Sequence, residues 1–243
     1  MPSEDVRWSE LVCFVGRSSH IPAALADLSS PDEQVRLNAF RLLVQDLAWN
    51  ENVFEATPYA ICDVVERLER RDVPHPNEAF ALLRTLGNGE AAHPELINWH
   101  GRAVDLLSLC RELVESSLTL YLSYLSDPGA RLGALEVISG FRGRTAEALA
   151  ELGRAADSAA STEERTEILT AIGDLREWNE TEADEPSCGV PDELLNRKVS
   201  ESRVAMIRIG RGERPPRWGK VGPLLSARQY LIRLVMRFLE RSN

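Results

Sequence analysis

The sequence predicts an all-α fold: a right-handed α-solenoid of about four helical pairs with a C-terminal helical cap. Three observations predict it. The stretch from Leu25 to Leu68 reads as one complete helix-turn-helix unit followed by the first helix of the next. A turn containing Asp and Pro, followed within a helical turn by Arg and then Ala, occurs at Pro31-Asp32 and again at Asp127-Pro128. Apolar residues in the intervening segments recur at helical spacing and form single stripes.

At the N-terminal end, Trp8-Ser9-Glu10-Leu11-Val12 suggests an anchoring turn or short helix that Gly16 ends. His20-Ile21-Pro22 opens a helix with Ile21, Leu25 and Leu28, expected to run antiparallel to its successor across a very short turn. That turn, Ser29-Ser30-Pro31-Asp32, reads as a hydroxyl cap with proline at the first helical position. The helix from Pro31 to Ala48 carries Val35, Ala39, Leu42, Leu43 and Leu47 as its apolar stripe. Thr57-Pro58 then supplies a cap and a first residue, with Ala60, Ile61, Val64, Val65 and Leu68 on one face.

Superposing Arg36 on Arg131 matches Ala39 with Ala134 and Leu43 with Ile138, and assigns both arginines a structural role near the turns. Ala79 with Leu83, and Ile168 with Ile172, mark the same two positions in the second and fourth units. The intervals from Ala39 to Ala79, Ala134 and Ile168 are 40, 55 and 34 residues. They bracket the roughly 40 to 47 residues of known two- and three-helix repeats. Between the second and third units, the longest helical pattern runs from Pro94 to Leu125, interrupted at Gly101. Its apolar residues, among them Leu106, Cys110, Val114, Leu118 and Tyr121, surround most of the circumference, as in a helix buried between neighbours. Gly143 to Ala156 supplies the next helix, and Ser161-Thr162-Glu163-Glu164 caps the last, which is expected to reach Trp178.

The pattern stops at Asn179, so the domain organisation reads as a solenoid over 1–178, a linker or long loop over 179–191, and a basic segment with a capping helix over 192–243. The last segment contains a short helical stretch, Asp192 to Val199, and an ambiguous one, Val204 to Ile209. An Arg-Gly-Pro-rich loop from Arg208 to Lys220 follows, and then an amphipathic helix from Leu224 to Glu240.

With 243 residues, 44% of them hydrophobic and 27% charged, the chain can bury a sizeable core. Met1-Pro2-Ser3-Glu4-Asp5 lacks the basic flank and apolar stretch of a signal peptide, and no run approaches the roughly 20 apolar residues of a membrane span. Cys13, Cys62, Cys110 and Cys188 lie far apart without a Cys-x-x-Cys pair, which suggests reduced cysteines in a cytoplasmic protein. The net charge of −10 is uneven: residues 1–196 hold 16 basic and 35 acidic side chains, residues 197–243 hold 12 and 3. The acidic body disfavours nucleic acid, and the basic tail could seek an acidic surface.

The chain resembles bacterial HEAT-repeat proteins of the HEAT-like or phycobilisome-lyase type, in an actinobacterial-looking group. The resemblance is carried by Trp8-Ser9-Glu10-Leu11 with Ile21-Pro22-Ala23-Ala24-Leu25, by Val53-Phe54-Glu55-Ala56-Thr57-Pro58-Tyr59-Ala60-Ile61, and by Leu125-Ser126-Asp127-Pro128 with Arg131, Ala134 and Ile172-Gly173-Asp174-Leu175. It spans about Trp8 to Leu175. Asn50-Glu51-Asn52 stands where the group commonly has a His-Gln-Gly-like turn. The resemblance implies a non-enzymatic protein-binding scaffold or inhibitor, with immunity against a toxin domain as one proposed role, and a monomer is expected.

No nucleophile elbow, phosphate-binding glycine loop or catalytic set is evident, so neither catalysis nor a cofactor is expected. His93, His100 and Cys110 lack the spacing of a zinc site and read as structural. The enzyme alternative is a HEAT-like DNA-repair glycosylase acting on alkylated bases, which would need a basic groove. A partner face is predicted on the second helix of each pair: Asn38, Arg41 and Gln45, then Glu78 and Thr85, then Glu136, then Glu167, Thr170 and Asp174. One arginine against four carboxylates makes this concave row mildly acidic and suited to a cationic surface, of a partner or of the chain's own basic tail between Arg208 and Lys220, with the convex face or the loop around Trp49 as the alternative contact.

Overall fold

The computed structural model describes residues 6–49, 52–89 and 96–184. The chain there is mostly helical: α1 (Ile21–Asp27), α2 (Glu33–Leu47), α3 (Thr57–Glu69), α4 (Asn77–Gly87), α5 (Leu106–Glu115), α6 (Leu118–Leu122), α7 (Arg131–Ile138), α8 (Thr145–Ser158) and α9 (Thr162–Asp184). A 3-10 turn at Trp8–Glu10 precedes them, and two short antiparallel hairpins interrupt them: β1 (Val12–Cys13) with β2 (Gly16–Arg17), and β3 (Leu96–Trp99) with β4 (Arg102–Asp105).

These hairpins correct the all-helical expectation. The first turns at Phe14 and Val15 and enters β2 at Gly16, whose φ of +116° suits a residue without a side chain. The second replaces the start of the long helical pattern from Pro94. Leu96 pairs with Asp105 and Trp99 with Arg102, leaving His100 and Gly101 as a two-residue loop. Both have positive φ, 51° and 80°, as a type I′ turn requires. Asn98 Oδ1 accepts a hydrogen bond from Gly101 N at 2.9 Å and closes the turn. Helix resumes when Asp105 caps α5 by accepting from Ser108 N at 2.8 Å.

Two caps also differ from the sequence reading. Asp32, not a hydroxyl, caps α2, its Oδ1 accepting from Gln34 N at 2.8 Å and Val35 N at 3.3 Å. Thr57 is the first residue of α3, and its buried hydroxyl donates to Leu47 O at 2.8 Å. At the far end α9 continues through Asp184 instead of stopping at Asn179. Asn179 is held within the helix: its Nδ2 donates to Leu175 O at 2.7 Å and Phe141 O at 3.1 Å. The rest of the expected linker and the whole segment 192–243 lie outside the described residues.

Helices α1 and α2, α3 and α4, α6 and α7, and α8 and α9 pack as sequential partners. Their second members also contact one another in order, α2 on α4, α4 on α7 and α7 on α9. Ala39, Ala79, Ala134 and Ile168, the matched sequence positions, are all buried, as are Leu43, Leu83, Ile138 and Ile172. In the α2 stripe Val35 is half-buried and Leu42 is left 39% exposed.

The contacts between successive second helices are partly ionic. Arg36 Nε meets Glu78 Oε1 at 3.3 Å with each side chain only 7% exposed, and Arg36 Nη1 donates to Ser30 O and Pro31 O at 3.0 and 3.1 Å. Arg131 repeats this between α7 and α9: Nε donates to Leu125 O at 2.8 Å, and Nη1 meets Glu167 Oε2 at 3.1 Å. The arginine thus ties its own preceding turn to the next helix. From α4 to α7 the ion pair is a more exposed one, Arg84 with Glu136 at 3.3 Å, and polar and backbone contacts accompany it. Asn77 Nδ2 donates to Gly129 O at 2.9 Å, and a Cβ on Gly133 would come within 2.8 Å of Asn77 Oδ1 and 2.9 Å of the Phe80 ring. Another carboxylate joins α5 to the start of α8, where Glu115 accepts from Arg142 N, Gly143 N and Arg144 N at 2.7, 3.0 and 2.8 Å.

Removing one member of the α2–α4 pair strands a buried charge. Arg36→Leu should therefore lower unfolding free energy by about 3–5 kcal/mol, whereas Arg36→Met combined with Glu78→Leu should recover most of that loss. Urea denaturation followed by circular dichroism measures both. Equal destabilisation in the single and double variants would show that packing, not the ion pair, dominates the joint.

Candidate functional site

The outward face of α2, α4, α7 and α9 contains most of the predicted partner residues, though not all in the predicted state. Asn38, Arg41 and Gln45 are exposed on α2, where Gln34 Nε2 donates to Asn38 Oδ1 at 2.9 Å. Glu78 is turned inward to Arg36 and is only 6% exposed, which removes it from an accessible face. Thr85 is half-buried and donates to Ala81 O at 2.9 Å. Glu136 is exposed but meets Arg84 at 3.3 Å. Glu167 is partly buried against Arg131, while Thr170 and Asp174 are exposed.

The reason for the Glu78 correction lies in the stacking. Asn38, Glu78, Gly133 and Glu167 occupy the same place, one residue before the matched core position. On α4, α7 and α9 that place faces the preceding second helix, but α2 is first in the series and its Asn38 faces solvent. Three of the four predicted carboxylates therefore meet an arginine, so the acid excess on this face is smaller than the sequence suggests.

The same helices expose leucines that the sequence reading did not select. Leu42 and Leu132 are each 39% exposed and Leu169 50%. Leu42 lies one turn from Asn38 and Gln45, and Leu132 one turn from Glu136. Beyond the end of α2, Trp49 is 40% exposed and stacks on Phe14 with ring centroids 4.6 Å apart. Apolar anchors bordered by polar groups can enter a protein interface, gaining from area removed from water while the polar rim sets register.

A second group of chemically capable residues lies at this same C-terminal end of α2. The β1–β2 hairpin delivers Cys13, the residue before α1 delivers His20, and the last turn of α2 delivers Asp46. Their ligand atoms lie within 4.8 Å of one another. His20 Nε2 and Asp46 Oδ2 are 2.5 Å apart, with the side chains 37% and 5% exposed. Cys13 is 2% exposed, and Phe14 N donates to Asp46 O at 2.9 Å, docking the hairpin onto α2. Burial, aided by the negative charge of Asp46, pushes the Cys13 thiol pKa up against the lowering effect of nearby backbone hydrogen bonds.

Sequence spacing alone concealed this group, since its members are separated by 7 and 26 residues and meet only after the hairpin folds back. One signal was present: Asp46 is a charged residue immediately before Leu47 in the α2 core stripe. Of the residues considered earlier for metal binding, His100 stands exposed at the β3–β4 tip and Cys110 is fully buried in α5. His93 lies outside the described residues.

Among the described residues no helix is long and apolar enough to cross a membrane. Comparisons with protein-family models, curated proteins and solved structures found no match for the chain.

Burial also raises the thiol pKa of Cys62 and Cys110. Since thiolate is the reactive form, alkylation of native protein at pH 8 should be slow at Cys13 and Cys110 and should rise when denaturant exposes them. Peptide mapping after iodoacetamide treatment tests this; native-state labelling of Cys13 at the rate of a free thiol would contradict it.

Proposed function

We propose that this protein is a non-enzymatic, HEAT-like right-handed solenoid that binds another protein across the outward face of α2, α4, α7 and α9. The supporting observation is that α2, α7 and α9, helices of the series that contact one another in order, expose Leu42, Leu132 and Leu169 together with polar side chains. Burial of such leucines contributes affinity, and Arg41, Gln45, Glu136, Thr170 and Asp174 supply the polar margin. The partner is a folded domain with apolar contacts and some cationic character to meet Glu136 and Asp174. A role as a cytoplasmic scaffold or inhibitor, including monomeric immunity protein against a toxin domain, follows from sequestration of that surface without turnover.

The direct experiment captures partners of the full chain from its native host and identifies them by mass spectrometry. Stoichiometric binding should then be measured with Leu42→Glu, Leu132→Glu and Leu169→Glu combined. Hot-spot losses of at least about 2 kcal/mol each predict more than 100-fold weaker affinity with circular dichroism unchanged. Reversing Glu136 and Asp174 to lysine should mainly slow association and flatten its salt dependence. Unchanged partner affinity in the leucine variant would overturn the face assignment, while salt-sensitive DNA retention with release of alkylated bases would replace this function by the glycosylase one.

A further inference from the structure

We infer that Cys13, His20 and Asp46 form a zinc-type metal site that clamps the N-terminal hairpin to α1 and α2. This inference stands independently of the proposed partner face. A mixed thiol, imidazole and carboxylate set suits Zn²⁺ or Co²⁺, whereas Mg²⁺ and Ca²⁺ favour oxygen ligands alone. The donors converge from three separate elements, with all three ligand atoms within 4.8 Å. A tetrahedral ion with nitrogen and oxygen at about 2.0–2.1 Å and sulfur at about 2.3 Å would set donor separations of about 3.3–3.6 Å. The present His20–Asp46 distance of 2.5 Å would need to open by about 0.8 Å, a small side-chain adjustment.

Burial gives the site an electrostatic reason to accept a dication. Asp46 has only 5% of its side chain exposed, and its His20 partner carries charge only when protonated. One dication with a Cys13 thiolate and an Asp46 carboxylate forms a neutral unit, with neutral His20 completing the protein donors. Binding transfers the Cys13 thiol proton to solvent and forms the metal–sulfur bond; no oxidant or reductant is required. The 37% exposure of His20 leaves one side approachable for water as a fourth ligand.

Cobalt(II) titration of the full-length, chelator-treated protein tests the assignment. One equivalent should produce thiolate-to-cobalt charge transfer and tetrahedral ligand-field absorption, and added Zn²⁺ should abolish both. Cys13→Ser should remove the charge-transfer band, Cys62→Ser should retain it, and His20→Ala should weaken binding by more than about 100-fold. X-ray absorption on the zinc-loaded wild-type protein provides a measurement that does not depend on variant folding: one sulfur at about 2.3 Å is expected. No sulfur in that shell, no thiolate band with cobalt, or a band that survives in Cys13→Ser would overturn the site.

Discussion

A buried guanidinium reaching from one second helix to a carboxylate on the next sets the joints on which the helical stacking depends. Arg36 joins α2 to α4 through Glu78, and Arg131 joins α7 to α9 through Glu167. Each arginine also occupies carbonyls of the turn before its own helix, so loop conformation and helix spacing are coupled at one charged group. Desolvation makes this arrangement intolerant of an unpaired partner. The joint between α4 and α7 uses Asn77 and the bare backbone at Gly133 together with a more exposed pair, Arg84 and Glu136.

This constraint also explains the division of the outward face. The residue before each matched core position becomes a joint wherever a preceding second helix is present, which hides Glu78 and partly hides Glu167. Leu42, Leu132 and Leu169 lie beyond that contact and remain available. Glu115 serves a related purpose elsewhere, supplying acceptors to three amides at the turn into α8 that the helix cannot pair internally.

Much of the helical framework was legible in the sequence because Ala39, Ala79, Ala134 and Ile168 report burial at a matched place in their apolar stripes, despite unequal intervals between them. Arg36 and Arg131 were also legible as structural residues, since each follows an Asp-containing turn at the same offset. Glu78 was not: a helical stripe identifies an inward direction without specifying which neighbouring helix will fill the space beside it. The β3–β4 hairpin was concealed by apolar density continuous with α5, although His100-Gly101 contained the turn chemistry. Cys13, His20 and Asp46 were still less visible, because only tertiary folding brings three distant sequence positions together.

The β3–β4 hairpin has a consequence for protein engineering. Ile97 is buried and Trp99 lies 4.8 Å from the Tyr59 ring, anchoring the strands, while His100 and Gly101 form an exposed tip. A flexible peptide spliced between those two tip residues can leave the anchoring contacts in place while projecting into solvent. The hairpin is therefore a natural attachment point for a fluorophore-bearing or epitope peptide, placed on a strand turn instead of on the helices that build the candidate partner face.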